Sequence, residues 1–209
     1  MKKNSLLVIT ILLIFISSSL VSAQSIKIGP RITGNMNIYN QDGLTGTWSG
    51  IGVGIGGALD ISFSPVIGML VNLTVFDMKN FSNSQTQGTT TQEQSLSLSY
   101  LTIDPLFKAE FSGFYLVGGP SLALKLSSSG ETSVVTTGQA PNITPLNIET
   151  NSVKFDIAVG AGYNFKLAPG LSLGSDFIAY IPLSDTYDTP GISNSTLSLK
   201  LGVSVKFSL

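Results

Sequence analysis

The last fifteen residues, STLSLKLGVSVKFSL (195–209), alternate without a slip. Leu197, Leu199, Leu201, Val203, Val205, Phe207 and Leu209 share one phase, and Ser198, Lys200, Gly202, Ser204, Lys206 and Ser208 share the other. Successive side chains of a strand point to opposite faces, so this is a strand with one apolar face and one polar or small face. A soluble sandwich, a lipocalin-like cup and a membrane barrel all contain such strands. Which solvent meets which face decides among them, and the rest of the chain carries that information.

The chain of 209 residues is 43% hydrophobic and only 11% charged, where a soluble domain carries about 25% charged residues. Ser, Thr, Asn, Gln and Gly supply the polarity instead, which points to an outside not wholly covered by water. A net charge of −1 with no basic cluster leaves no electrostatic footprint for nucleic acid. There is no Cys and no His. That removes disulfides, thiol nucleophiles, imidazole bases and the commonest transition-metal ligands, and with them the Ser-His and Cys-His hydrolases. It also removes an acylated N-terminal cysteine, so any membrane contact must come from the fold itself.

Lys2 and Lys3 precede the apolar run Leu6–Ile16, and Val21-Ser22-Ala23 precedes Gln24. This is the order of a secretory signal peptide, expected over 1–23 with cleavage after Ala23. The apolar run falls short of the roughly 20 residues that a spanning helix needs. The mature chain, 24–209, reads as one domain.

Beyond Gln24 the pattern is period two throughout. SIKIGPRITGNMNIY sets Ile26, Ile28, Ile32, Met36 and Ile38 against Lys27, Arg31, Thr33, Asn35 and Asn37. GIGVGIGGALDISF sets Ile51, Val53, Ile55, Leu59, Ile61 and Phe63 against Gly52, Gly54, Gly56, Ala58, Asp60 and Ser62. IGMLVNLTVFDM, SLSLSYLTIDPLF, FYLVGGPSLALKL, SVKFDIAVGAGYNF and LSLGSDFIAYIPL follow in the same manner. In the fourth strand Leu96 and Leu98 lie out of phase with Leu101, Ile103 and Phe107, and a β-bulge near Ser99 or Tyr100 would reconcile them. About eight strands of about ten to fourteen residues exceed the usual strand length of about five or six. Connections at Ser64-Pro65, 108–113 and 166–170 are short, whereas 40–49, 79–94, 127–150 and 182–194 read as long loops.

Tight turns at one rim and long loops at the other predict an all-β, eight-stranded antiparallel up-and-down transmembrane β-barrel. A soluble barrel keeps its apolar face inside and its charges outside; here the crowding of Gly, Ser and Ala on one face suits the interior of a narrow barrel in lipid. Lys27, Arg31, Asp60, Lys125, Asp156, Asp176, Lys200 and Lys206 then line the lumen, where charges of both signs are expected to pair with one another. On this reading lysine at Val203 would enter lipid and lysine at Ser204 the lumen. Tyr39, Trp48, Phe63, Phe76, Phe81, Phe107, Phe114, Tyr163, Phe165, Tyr180, Tyr187 and Phe207 cluster near strand ends, as interfacial aromatic girdles do.

Residues 100–126, 155–185 and 197–209, with the GPRITGNMN of the first strand, resemble the PorT-like, OmpA-type outer membrane protein β-barrel domain. The resemblance covers essentially the whole mature chain. It implies residence in the bilayer of the outer membrane, insertion by the barrel assembly machinery, and no catalytic, cofactor or metal residues to carry over. The chain departs from that family pattern by ending Phe207-Ser208-Leu209 instead of on an aromatic residue.

Other chemical signals are thin. GVGIGG (52–57) lies inside a strand pattern with no following helix or GK[ST], so it reads as lumen packing and not a phosphate loop. Asp185 and Asp188 lack the spacing of a Ca²⁺ loop. The triplets at Asn72, Asn142 and Asn194 match glycosylation acceptors, but Asn72 falls within a strand. Three functions remain: a structural, assembly or surface-loop interaction component of the envelope with envelope-protein partners, a narrow channel or small-ligand barrel, and a lipid-acting enzyme. The absence of His disfavours the last.

Overall fold

A computed structural model describes residues 25–41, 48–146, 150–187 and 194–209. The signal peptide expected over 1–23 and Asp188 lie outside the described residues. Among the described residues nine strands follow in order: β1 (Ser25–Gln41), β2 (Trp48–Ser62), β3 (Ile67–Gln87), β4 (Thr90–Phe111), β5 (Phe114–Thr136), β6 (Asn142–Pro145), β7 (Val153–Ala168), β8 (Leu171–Pro182) and β9 (Asn194–Ser208). All but the short β6 form a closed antiparallel ring, β1-β2-β3-β4-β5-β7-β8-β9, in which β9 returns to β1 from Lys27↔Ser208 to Gln41↔Asn194. Closure pairs every ring strand on both sides, which is what lipid demands of a backbone that has no water to bond.

The short connections lie at one rim. Ser112 (φ 52°) and Gly113 (φ 93°) form a two-residue hairpin between the Phe111↔Phe114 pair, the positive φ values giving the twist a tight hairpin needs. Ser64 Oγ accepts from the backbone N–H of Ile67 at 2.9 Å. Pro169 and Gly170 (φ 77°) join β7 to β8.

Two of the expected long loops are strand instead. β3 and β4 stay paired from Ile67↔Ala109 to Gln87↔Thr90 around Gly88 (φ 61°), and β5 follows β4 out to Thr90↔Thr136. Among the described residues β2 leaves β3 at Ser49↔Ser82, so the far ends of β3, β4 and β5, with β6 added to β5, rise from the ring as a sheet. Ser, Thr, Asn and Gln mark loops only where no ladder is available to them; here each neighbour supplies one.

The faces fall as the alternation predicts in most strands. In β9 Ser198, Lys200, Gly202, Ser204 and Lys206 are buried, whereas Leu201, Val203 and Phe207 are exposed to lipid. Ile51, Val53 and Ile55 likewise face out, while Ile61, Met69 and Val71 form a buried cluster with Leu59 and Phe63 packed against it. The bulge expected within the fourth strand near Ser99 or Tyr100 is not there: the register shift of the β4–β5 ladder at this level leaves Leu126 of β5 as the unmatched residue. β4 itself keeps one phase, so Leu96, Leu98, Tyr100, Thr102 and Asp104 all point inward. A second shift, at Val75 and Phe76 of β3, had no sequence signal. Both of those side chains face outward, and the extra residue brings Asp77 and Lys79 into the lumen.

The aromatic residues divide. Phe107, Phe111, Phe114, Tyr163, Phe165 and Phe207 are exposed near the short-turn rim and form a girdle. Tyr39, Phe81, Tyr180 and Tyr187 are not girdle members, because their side chains are buried.

Candidate functional site

Chemically capable side chains converge in the lumen, which is built in tiers. Nearest the short-turn rim, Asp60 accepts from Lys108 Nζ and, at 2.7 Å, from Lys206 Nζ. Lys108 also reaches Glu110 at 2.8 Å, and Lys206 reaches Asn164 Oδ1 at 2.7 Å. One carboxylate thus holds two ammonium groups from strands on either side of it.

Above this tier the Arg31 guanidinium meets Asp176 through both nitrogens of its fork, NH2 to Oδ1 at 2.6 Å, and both side chains are almost wholly buried. Gly202 makes room: a Cβ there would stand 2.0 Å from Arg31. Ala58, Leu70, Leu106, Tyr115, Val117, Ala158, Ile178 and Tyr180 form a buried apolar cluster in the lumen.

The third tier is charged again. Lys200 Nζ donates to Asp77 at 2.7 Å, and Thr102 donates to the same carboxylate at 3.0 Å. Lys154 pairs with Asp156 at 2.9 Å and Lys79 donates to Ser198 Oγ at 2.9 Å. Asp104 accepts from Tyr180 Oη at 2.8 Å and Ser121 Oγ at 2.6 Å, and Lys200 lies 4.4 Å from the centre of the Tyr180 ring. Buried charge is tolerated when it is paired and hydrogen-bonded: Lys200–Asp77 and Lys154–Asp156 form ion pairs, whereas Lys79 and Asp104 are held by hydrogen bonds with neutral hydroxyls.

A second apolar cluster closes the far end: Tyr39, Phe81, Leu96, Leu98, Tyr100, Ala123 and Tyr187, with Trp48 against it. Tyr187 meets Tyr39 edge to face with centroids 5.0 Å apart. Its segment is pinned by Asn194 Oδ1, which accepts the backbone N–H groups of Thr186 and Tyr187 at 2.8 Å each. Burial raises the Tyr187 phenol of this lid above its ordinary range.

Of the lumen charges read from sequence, Arg31, Asp60, Asp156, Asp176, Lys200 and Lys206 are buried inside. Lys27 is half-buried near the rim, and Lys125 donates to the Thr150 carbonyl at 2.6 Å, beside the lid. Asp77, Lys79, Asp104, Lys108 and Lys154 were missed. Lys154 shares the phase of Asp156 and was legible; Asp77 and Lys79 were hidden by the β3 shift. Gly52 and Gly54 face inward, as lumen packing requires. Asn72 is fully buried, beyond the reach of a glycosylating enzyme. Among the described residues no group of three or more acidic, His or Cys side chains is placed to hold a metal ion.

The sequence matches the profile of the outer membrane protein beta-barrel domain over residues 8–207. No functionally curated protein matches it. Among solved structures it is similar to Ail, the attachment invasion locus protein of Yersinia pestis, at 14% identity and a TM-score of 0.39, covering 87% of this chain and 98% of that one. Neisserial surface protein A is similar at 13% identity and a TM-score of 0.35, covering 87% and 97%. OprG from Pseudomonas aeruginosa is similar at 10% identity and a TM-score of 0.38, covering 90% and 95%. These likenesses concern the fold. With its ring of eight strands and its apolar outer band, the chain belongs to the outer membrane protein β-barrel domain family and resides in the outer membrane.

Proposed function

We propose that this protein is a non-enzymatic component of the cell envelope, a closed OmpA-type, PorT-like barrel that carries a structural, assembly or surface-interaction surface at its long-loop end. The observation that supports this most is the filled lumen: buried apolar clusters around Tyr115 and around Tyr100 alternate with tiers of charged and hydrogen-bonded side chains. What remains available to envelope-protein partners is the polar sheet formed by the outer parts of β3, β4 and β5. Function on such scaffolds concentrates in the segments that leave the rigid body. Export by the signal peptide at 1–23 and insertion by the barrel assembly machinery belong to the same proposal.

A second reading, a narrow channel or small-ligand barrel, draws on the charged tiers at Asp60 and Asp77. Planar-bilayer recording of the refolded protein separates the two. The first reading expects a silent membrane. Steady conductance that changes with Asp156→Ala or Lys200→Ala would establish the second and sink the first.

A further inference from the structure

Two concavities meet at Tyr163 and Phe165 near the short-turn rim. One, of about 320 Å³, is a trough on the lipid-facing side; the other, of about 640 Å³, opens at the rim itself. Both fall within the roughly 300–1,000 Å³ of ligand-holding clefts.

The trough follows from how β7 and β8 are paired. Tyr163 stands opposite Ser175 and Ala161 opposite Phe177, so each large outward residue faces a small one and the small ones line up diagonally. Phe114, Phe165 and Phe177 stand exposed around this floor of Ala161 and Ser175. Tyr163 cannot swing freely, since its hydroxyl donates to the Ser112 carbonyl at 3.3 Å and its ring packs on Phe165 with centroids 4.7 Å apart. An apolar trough inside the lipid band is filled by hydrocarbon, because voids in such a wall forfeit dispersion contacts.

The rim pocket is polar and carries both signs. Lys166 is exposed at its edge. Glu110 is partly exposed there, with Oε2 accepting from Lys108 at 2.8 Å and Asn164 at 3.2 Å. A phosphate suits Lys166, and an ammonium suits the open side of Glu110. A headgroup that lacks an amine could still place its phosphate at Lys166 but would leave the open side of Glu110 without a partner.

We propose that the trough and the rim pocket together bind one diacyl phospholipid of the leaflet at the short-turn rim, with an acyl chain between the phenylalanines and a zwitterionic amine–phosphate headgroup between Lys166 and Glu110. The site shares Glu110 and Asn164 with the rim-side tier of the lumen and is distinct from the polar sheet.

The test is native mass spectrometry of the folded barrel released from nanodiscs of equimolar phosphatidylethanolamine and phosphatidylglycerol. The wild type is expected to retain one phosphatidylethanolamine, in roughly fivefold preference over phosphatidylglycerol, the scale of one half-exposed ion pair. Ala161→Phe fills the trough and should abolish retention of both lipids while the gel shift of the folded barrel is unchanged. Lys166→Gln, at the exposed rim, should keep the fold and lose the preference. Equal retention of the two lipids by the wild type overturns the proposal, as does undiminished retention in a folded Ala161→Phe. If Ala161→Phe does not fold, an unaltered preference in Lys166→Gln overturns it alone.

Discussion

The ring of the barrel and the sheet that rises from it are made of the same antiparallel ladders under opposite constraints. In the ring every second residue must suit lipid and every other one must suit a lumen with no free space; Val203 and Ser204 are neighbours in sequence and meet wholly different surroundings. In the rising sheet neither face is sealed, and Gln85, Gln87 and Gln92 are exposed in strands as regular as any in the ring. Regular backbone therefore does not measure constraint; what lies on the two faces does.

The sharpest way to break this comparison is Asp176→Ala, which leaves Arg31 buried and unpaired. Removing one partner of a buried ion pair costs about 3–5 kcal/mol, so the urea midpoint of the refolded barrel should collapse and its heat-modifiable band should fade. Arg31→Met combined with Asp176→Leu should recover much of the loss. Next comes Val203→Lys, expected to cost about 2–4 kcal/mol toward the bilayer midplane, read as reduced folded fraction in vesicles. Ser204→Lys is no benign counterpart, contrary to what the polar phase suggests. Ser204 is buried opposite Arg31 and close to Lys206, so a third cation there should impair folding by a similar order.

Gly202→Ala is milder: its Cβ would stand 2.0 Å from the Arg31 guanidinium, and overpacking of this kind typically costs about 1–3 kcal/mol. At the other extreme, Gln87→Lys at the tip of the rising sheet should shift the urea midpoint by no more than about 0.5 kcal/mol equivalent. If Gln87→Lys proves as damaging as Gly202→Ala, the sheet is sealed on a face and the contrast between the two regions fails.

Alternation made the ring legible because lipid outside and a packed lumen inside penalise every slip, and β9 was readable residue by residue for that reason. The girdle was half legible: strand-end aromatic residues were visible, but an exposed Phe165 and a buried Phe81 differ only in phase. The β3 shift at Val75–Phe76 was invisible because two consecutive apolar residues in lipid carry no penalty that a sequence would show. It concealed Asp77, to which Lys200 is anchored. The rising sheet was read as loops because Thr, Gln and Ser carry no face preference where both faces meet water.

The pairing of β1 with β9 has a consequence for timing. Gly34 meets Leu201 across the seam, so the ring closes by joining its first and last strands, the pairing of greatest sequence separation among its ladders. Chains dominated by such distant contacts fold slowly. Until the seam zips, β1 and β9 each expose an unpaired edge. Once closed, the same seam becomes a latch: no single strand can peel away without breaking a ladder on each of its sides.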